Sequence, residues 1–124
     1  MQMRYCGISF NLFNMTHIDQ LSPMDKLLMY IAIDDGIFYH KEHGDLFERE
    51  FQNGCLYQLL DDCKACGYVD DVPDHNIWFL TNNGIKQVKN IINEHRVDVG
   101  TVRFVHDNAL HDEAKQIIAC VKNI

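Results

Sequence analysis

Cys63-Lys64-Ala65-Cys66 is the only C-x-x-C in the chain, and it is where thiol or metal chemistry would be sought first. A redox pair of this spacing needs its first thiol at a helix N-terminus, where the helix dipole lowers the pKa. Here the pair falls at the C-terminal end of a helical pattern, and Cys63 sits on the apolar stripe of that helix. Zinc is the other chemistry open to it, and His40 and His43, or His75, are the nitrogen donors that could complete a set. No second C-x-x-C or other ligand pair of established zinc spacing accompanies them. The expectation is thiols that are buried or incidental, with no metal and no cofactor.

Seven histidines are a heavy load for 124 residues. His106 and His111 stand beside the acids Asp107, Asp112 and Glu113, where a general base could be built. Nothing around them supplies a nucleophile. The chain has two serines, neither in a G-x-S-x-G, and it lacks a glycine-rich phosphate loop and an H-E-x-x-H. The residues therefore argue against an enzyme.

The elements that must position these groups read as follows. In residues 4–12, Cys6, Ile8, Phe10 and Leu12 alternate with Tyr5, Gly7, Ser9 and Asn11, the period-two pattern of a half-buried strand. Residues 14–20 form a polar connector with room for one helical turn. Ser22-Pro23 opens a helix, with Ser22 as N-cap and Pro23 at the first helical position. Met24, Leu27, Leu28 and Ile31 make its stripe, but Met29, Tyr30, Ala32 and Ile33 make the other faces apolar as well. Such a helix is either central or in contact with a second subunit. Asp34-Asp35-Gly36 ends it, with Gly36 suited to a left-handed cap. Acids at that end oppose the helix dipole, which points to a surface role for them.

Ile37, Phe38 and Tyr39 suit a short strand. The segment from His40 to Gly44 reads as a polar turn, and Asp45 as the cap of a short helix over residues 46–51. Asn53-Gly54 is a turn dipeptide. A helix over residues 55–66 follows, with Leu56, Leu59, Leu60 and Cys63 on one face and Gly67 as its exit. Residues 69–72 and 77–80 then form a hairpin around Pro73-Asp74-His75-Asn76, and Thr81 caps the next helix. Ile85, Val88, Ile91 and Ile92 stripe that helix. The β-branched run in residues 97–105 predicts a strand able to pair with residues 4–12. Asp107 or Asn108 caps a last helix striped by Leu110, Ala114, Ile117, Ile118 and Val121.

The order of helix, glycine exit, hairpin and helix over residues 54–84 resembles the recognition helix and wing of winged helix-turn-helix regulators. Leu80-Thr81-x-x-Gly84 is similar to the segment that ends the second wing strand in families of the PadR and MarR type. The resemblance covers residues 23–92. It implies an α+β fold: one winged-helix domain over residues 1–124, with its core at 22–95. An N-terminal strand (extension 1–21) and a C-terminal strand plus helix (extension 96–124) would be added to it.

Charge redirects what that resemblance implies about function. The net charge is −7, and residues 19–74 alone hold thirteen acids against four bases, a local −9. Residues 75–124 are close to balance, at +1. The solvent face of the recognition helix offers Tyr57, Gln58, Asp61, Asp62 and Lys64, and the wing offers Asp70, Asp71, Asp74 and His75. Gln58 could read adenine and Tyr57 could touch a phosphate. Two such residues cannot supply the several phosphate contacts from which DNA affinity comes. Each aspartate facing a phosphate costs on the order of 1 kcal/mol at surface dielectric.

The expected function is non-catalytic regulation or inhibition by protein contact through Tyr57, Gln58, Asp61, Asp62, Asp70, Asp71, Asp74 and His75. The partner would carry a basic surface, as does the nucleic-acid-binding groove that small phage and mobile-element inhibitors, some anti-CRISPR proteins among them, occupy. The alternative is a dimeric DNA-binding transcriptional regulator, which the charge disfavours. A homodimer is expected from the all-round apolar first helix and the last helix. Lys86, Lys89 and Arg96 form the only basic cluster and read as a solvated helix face. Five cysteines without a framework, no run of about 18 apolar residues and no apolar leader point to reduced thiols in the cytoplasm and no membrane segment.

Overall fold

The computed structural model describes residues 15–51, 54–98, 102 and 104–123. The strand expected over residues 4–12 lies outside them. Among the described residues the chain is α+β, with helices α1 (Pro23–Ile33), α2 (His40–Glu50), α3 (Cys55–Ala65), α4 (Asn82–His95) and α5 (Asn108–Lys122). The strands are β1 (Thr16–His17), β2 (Ile37–Tyr39), β3 (Val69–Val72), β4 (Ile77–Leu80) and β5 (Val97–Asp98). No helix among the described residues is long and apolar enough to cross a membrane.

Helix α1 starts where the Ser22 hydroxyl accepts from the Asp25 N–H, with Pro23 at the first helical position. Residues Leu27, Leu28, Met29, Tyr30 and Ile31 are all buried within one chain. Its all-round apolar surface is therefore the mark of a central helix. The helix ends at a double left-handed turn, with Asp35 at φ 62° and Gly36 at φ 76°. The Gly36 N–H returns to the Ile31 carbonyl. Asp34 is completely buried, which corrects the surface role expected for it.

Strands β2, β4 and β3 form an antiparallel sheet in that spatial order, with Phe38 opposite Trp78 and Val72 opposite Ile77. One face, with Phe38, Val69 and Trp78, packs on α1 to α4. The other, with Ile37, Tyr39, Val72 and Ile77, packs on Ala114 and Ile118 of α5. Covering both faces explains why Ile37-Phe38-Tyr39 and Ile77-Trp78-Phe79-Leu80 are unbroken apolar runs. Rings knit the helical side: Phe38 stacks on Phe47 at 4.3 Å, and Phe104 stacks on Phe47 at 5.8 Å. Tyr30 meets Phe47, Phe51 and Phe104 edge-on.

Helix α3 closes with paired bonds from Gly67 N–H to the Lys64 carbonyl and from Tyr68 N–H to the Cys63 carbonyl, with Gly67 at φ 81°. Thr81 caps α4 by accepting from the Gly84 N–H at 3.0 Å, while its own N–H donates to Tyr68 O. A Cβ on Gly84 would come within 1.9 Å of that Tyr68 oxygen, so the glycine of the Leu80-Thr81-x-x-Gly84 motif is set by the close approach of α4 to the start of β3.

Three expectations are corrected. Helix α2 begins at His40, not after Asp45, and bends at His43 (φ −121°, ψ 17°), where His43 turns inward. Of the strand predicted over residues 97–105, the described residues show β5 at Val97–Asp98. It pairs parallel with β1, Thr16 opposite Val97, while residues 102 and 104–107 take no regular structure because Val102 and Phe104 turn into the core. In the stripe of α4, Val88 and Ile91 are buried, but Ile85 and Ile92 are 43% and 44% exposed.

Candidate functional site

Two regions gather the groups able to act. The first is the outer face of α3 with the β3–β4 hairpin. Asp61, Asp74, His75 and Gln58 are exposed there. Tyr57 is partly held, its ring 5.7 Å from Trp78 and 6.3 Å from His40, and burial followed by the nearby Glu48 charge raises its pKa. Gln58 Nε2 donates to Asp62 Oδ1 at 3.0 Å. Two of the five aspartates have lysine partners. Lys64 Nζ donates to Asp71 Oδ1 at 2.7 Å, and Lys122 Nζ, from α5, lies 3.3 Å from Asp70 Oδ2. Burial by itself would raise the Asp70 carboxyl, but the Asp71 N–H and Lys122 hold it below the ordinary range.

The second region is internal. Asp34 caps the C-terminus of α1, Glu42 and His43 lie in α2 around its bend, and His106 and His111 flank the start of α5. Asp34 Oδ2 is 2.7 Å from His43 Nδ1. On the far side of that ring, His43 Nε2 is 3.2 Å from the Val105 carbonyl oxygen, which can only accept, so Nε2 carries a proton. One further proton then lies between His43 Nδ1 and Asp34 Oδ2, on an imidazolium facing a carboxylate or on a carboxylic acid facing a neutral ring. Burial pushes the Asp34 carboxyl up to about 6, with the bond from His43 opposing it.

Asp34 Oδ1 is 3.0 Å from His106 Nδ1 but out of line for a hydrogen bond, and it has no hydrogen-bond partner among the described residues. Glu42 Oε1 lies 2.9 Å from His111 Nδ1, and Glu42 Oε2 accepts from the Asp107 N–H at 2.8 Å. Buried His111 Nε2 has no hydrogen-bond partner among the described residues and faces Asp35 Oδ2 at 3.6 Å. Lys115 Nζ holds that Asp35 oxygen at 2.9 Å, which lowers the carboxyl. An open cleft of about 530 Å³, lined by His106, His111, Asp35, Asp112 and Lys115 among others, leads to this cluster from solvent.

The C-x-x-C pair does not join either region. Cys63 is buried, with its thiol pushed up to about 12 by burial, and Cys66 is exposed. His40 pairs with Glu48 at 2.7 Å, His43 with Asp34, and His75 is exposed on the hairpin turn. Of the histidines considered for a general base, His106 and His111 do come together, their rings 4.8 Å apart, but against Asp34 and Glu42, which precede them by more than sixty residues in the chain. The sequence did carry one signal for this cluster. Asp34 and Asp35 end a helix with the charge its dipole disfavours. Comparison with protein-family models, with curated protein sequences and with solved structures finds no match.

Proposed function

We propose that this chain is a winged helix-turn-helix module that acts without catalysis, by contact with a protein through the acidic face of α3 and the β3–β4 hairpin. The element order from α1 to β4 and the strand order β2–β4–β3 support the architecture. The observation that carries the functional reading concerns Lys64. It is the only Lys or Arg between residues 54 and 80, and it is committed to Asp71 at 2.7 Å. That leaves Asp61, Asp62 and Asp74 facing outward from this region with no cation of its own to bind a phosphate. A basic protein surface complements such a face, and opposite fields speed encounter between the two. The partner class is a basic, nucleic-acid-binding groove, and the role is regulation or inhibition in the cytoplasm.

The test is an electrophoretic shift with random duplex DNA at low salt, beside capture from a source-cell lysate. The wild-type chain is expected not to shift the duplex and to hold proteins that an Asp61→Lys, Asp62→Lys bait loses. Tight, salt-sensitive duplex binding by the wild type would instead make this a DNA-binding regulator. Because α1 spends its apolar faces inside one chain, the apolar residues that the described helices leave exposed for a homodimer include Ile85 and Ile92 on α4 and Val121 on α5. Light scattering on a size-exclusion column reads that directly.

A further inference from the structure

We infer that Asp34, Glu42, His106 and His111 form a binding site for a divalent transition metal of the zinc class, which ties the C-terminal helix to α1 and α2. Each of the four offers one donor atom, and the four atoms lie within 4.8 Å of one another. Two imidazoles with two carboxylates are an ordinary donor set for zinc, whose bonds of about 2.0–2.2 Å put tetrahedral ligands roughly 3.4 Å apart. A modest inward shift closes the difference. His106 has room for it, being 32% exposed and in a segment without regular structure.

Three features separate this cluster from a chance gathering of charges. First, a polar atom of the set, Asp34 Oδ1, is buried without a hydrogen-bond partner among the described residues, in a side chain 0% exposed. Orphaned groups at such depth are rare and call for an explanation. Second, Asp34 Oδ1 and His106 Nδ1 are 3.0 Å apart yet not aligned on each other. Groups that share a third partner take this arrangement.

Third, the surrounding groups hold the ligands as a metal site requires. His43 Nδ1 occupies the other Asp34 oxygen, the Asp107 N–H occupies the other Glu42 oxygen, and Asp35, fixed by Lys115, faces the other His111 nitrogen. Such outer partners set ring orientation and raise ligand basicity. A dication would also offset the two nearly solvent-free carboxylates, Asp34 at 0% and Glu42 at 3% side-chain exposure. The cleft beside His106 gives the ion its way in.

The test uses the untagged full chain, stripped with chelator and then loaded with Zn2+ alone. Stoichiometric zinc is expected to survive desalting, and the melting temperature should rise on loading. Co2+ substituted for zinc should give visible d–d bands without a thiolate charge-transfer band. His106→Ala and His111→Gln should each weaken zinc binding on the order of 100-fold or more, the upper end of what loss of an outer partner costs. Cys66→Ser and His75→Ala should leave it unchanged. His106 is partly exposed, so His106→Ala gives a decisive reading even if His111→Gln fails to fold. No stoichiometric zinc, or full affinity retained in His106→Ala, would overturn the assignment. Loss of zinc in Cys66→Ser with a thiolate band would place the metal at the cysteines and overturn it as well.

Discussion

Asp70 and Asp34 are the same side chain in two surroundings, and they titrate in opposite directions. Asp70, on the hairpin, is 41% exposed, and the Asp71 N–H with Lys122 holds its carboxyl below the ordinary range. Asp34 is fully buried, and loss of water pushes its carboxyl up to about 6 despite a histidine at 2.7 Å. The acidic face is charge left in water, where it makes a field but costs little and stabilises little. The buried cluster is charge taken out of water, where every atom needs a partner and removing one is expensive. The first kind of site can meet a partner from outside. The second can bind only what fits inside it.

The comparison is broken most directly by removing a carboxylate from each region. Asp34→Ala leaves the inward-turned His43 without its acceptor and is expected to lower stability by about 3–5 kcal/mol, read by urea unfolding of the chelator-treated chain. A loss no larger than that at an exposed aspartate would dissolve the distinction. Next in size is the joint beneath the acidic face. Gly84→Ala drives a methyl onto the Tyr68 carbonyl oxygen and should cost about 1–3 kcal/mol, measured the same way. Wild-type stability in that variant would mean that α4 and β3 do not approach as described.

Asp70→Asn should cost less than about 1 kcal/mol at neutral pH, because solvent screens the Lys122 pair. The sign follows from the lowered carboxyl. Folding favours the ionised form, so the contribution is present above the ordinary value of 3.8 and is lost as pH falls through the lower folded value. The gap between wild type and Asp70→Asn in a pH series of thermal melts should therefore close in acid. A gap that stays constant would remove the ionic account. Smallest of all, Asp61→Ala should change stability by no more than about 0.5 kcal/mol while weakening partner binding. A larger loss of stability would mean that Asp61 has a structural role and the face is not free.

Much of the local structure was legible in the residues. Ser22-Pro23, Gly67 and Thr81 mark boundaries found at the same positions, and the β3–β4 hairpin begins and ends where its pattern did. These signals are local, since a cap or a turn is satisfied by atoms a few residues away. The misreadings were all of burial and long-range pairing. His40 to Gly44 looked like a polar turn because His40, Glu42 and His43 are polar. They are helical because Glu42 and His43 find partners in Asp34, Asp107 and His111. Phe104 read as strand because it is apolar and β-prone, but the core takes it as a single plug against Tyr30 and Phe47. The face of α3 and the hairpin was nameable residue by residue, although Lys122 arrived on it from α5, far along the chain.

By itself, then, the sequence determined where α1, α3 and α4 start, the bounds of the hairpin strands and the uneven charge, because each depends on neighbours in the chain. Tertiary structure alone decided that α1 is central, that α5 covers the outer face of the sheet, and that Asp34 meets His106 across 72 positions. Those contacts follow from which apolar surfaces cover one another, and no local pattern encodes which acid a distant histidine will meet.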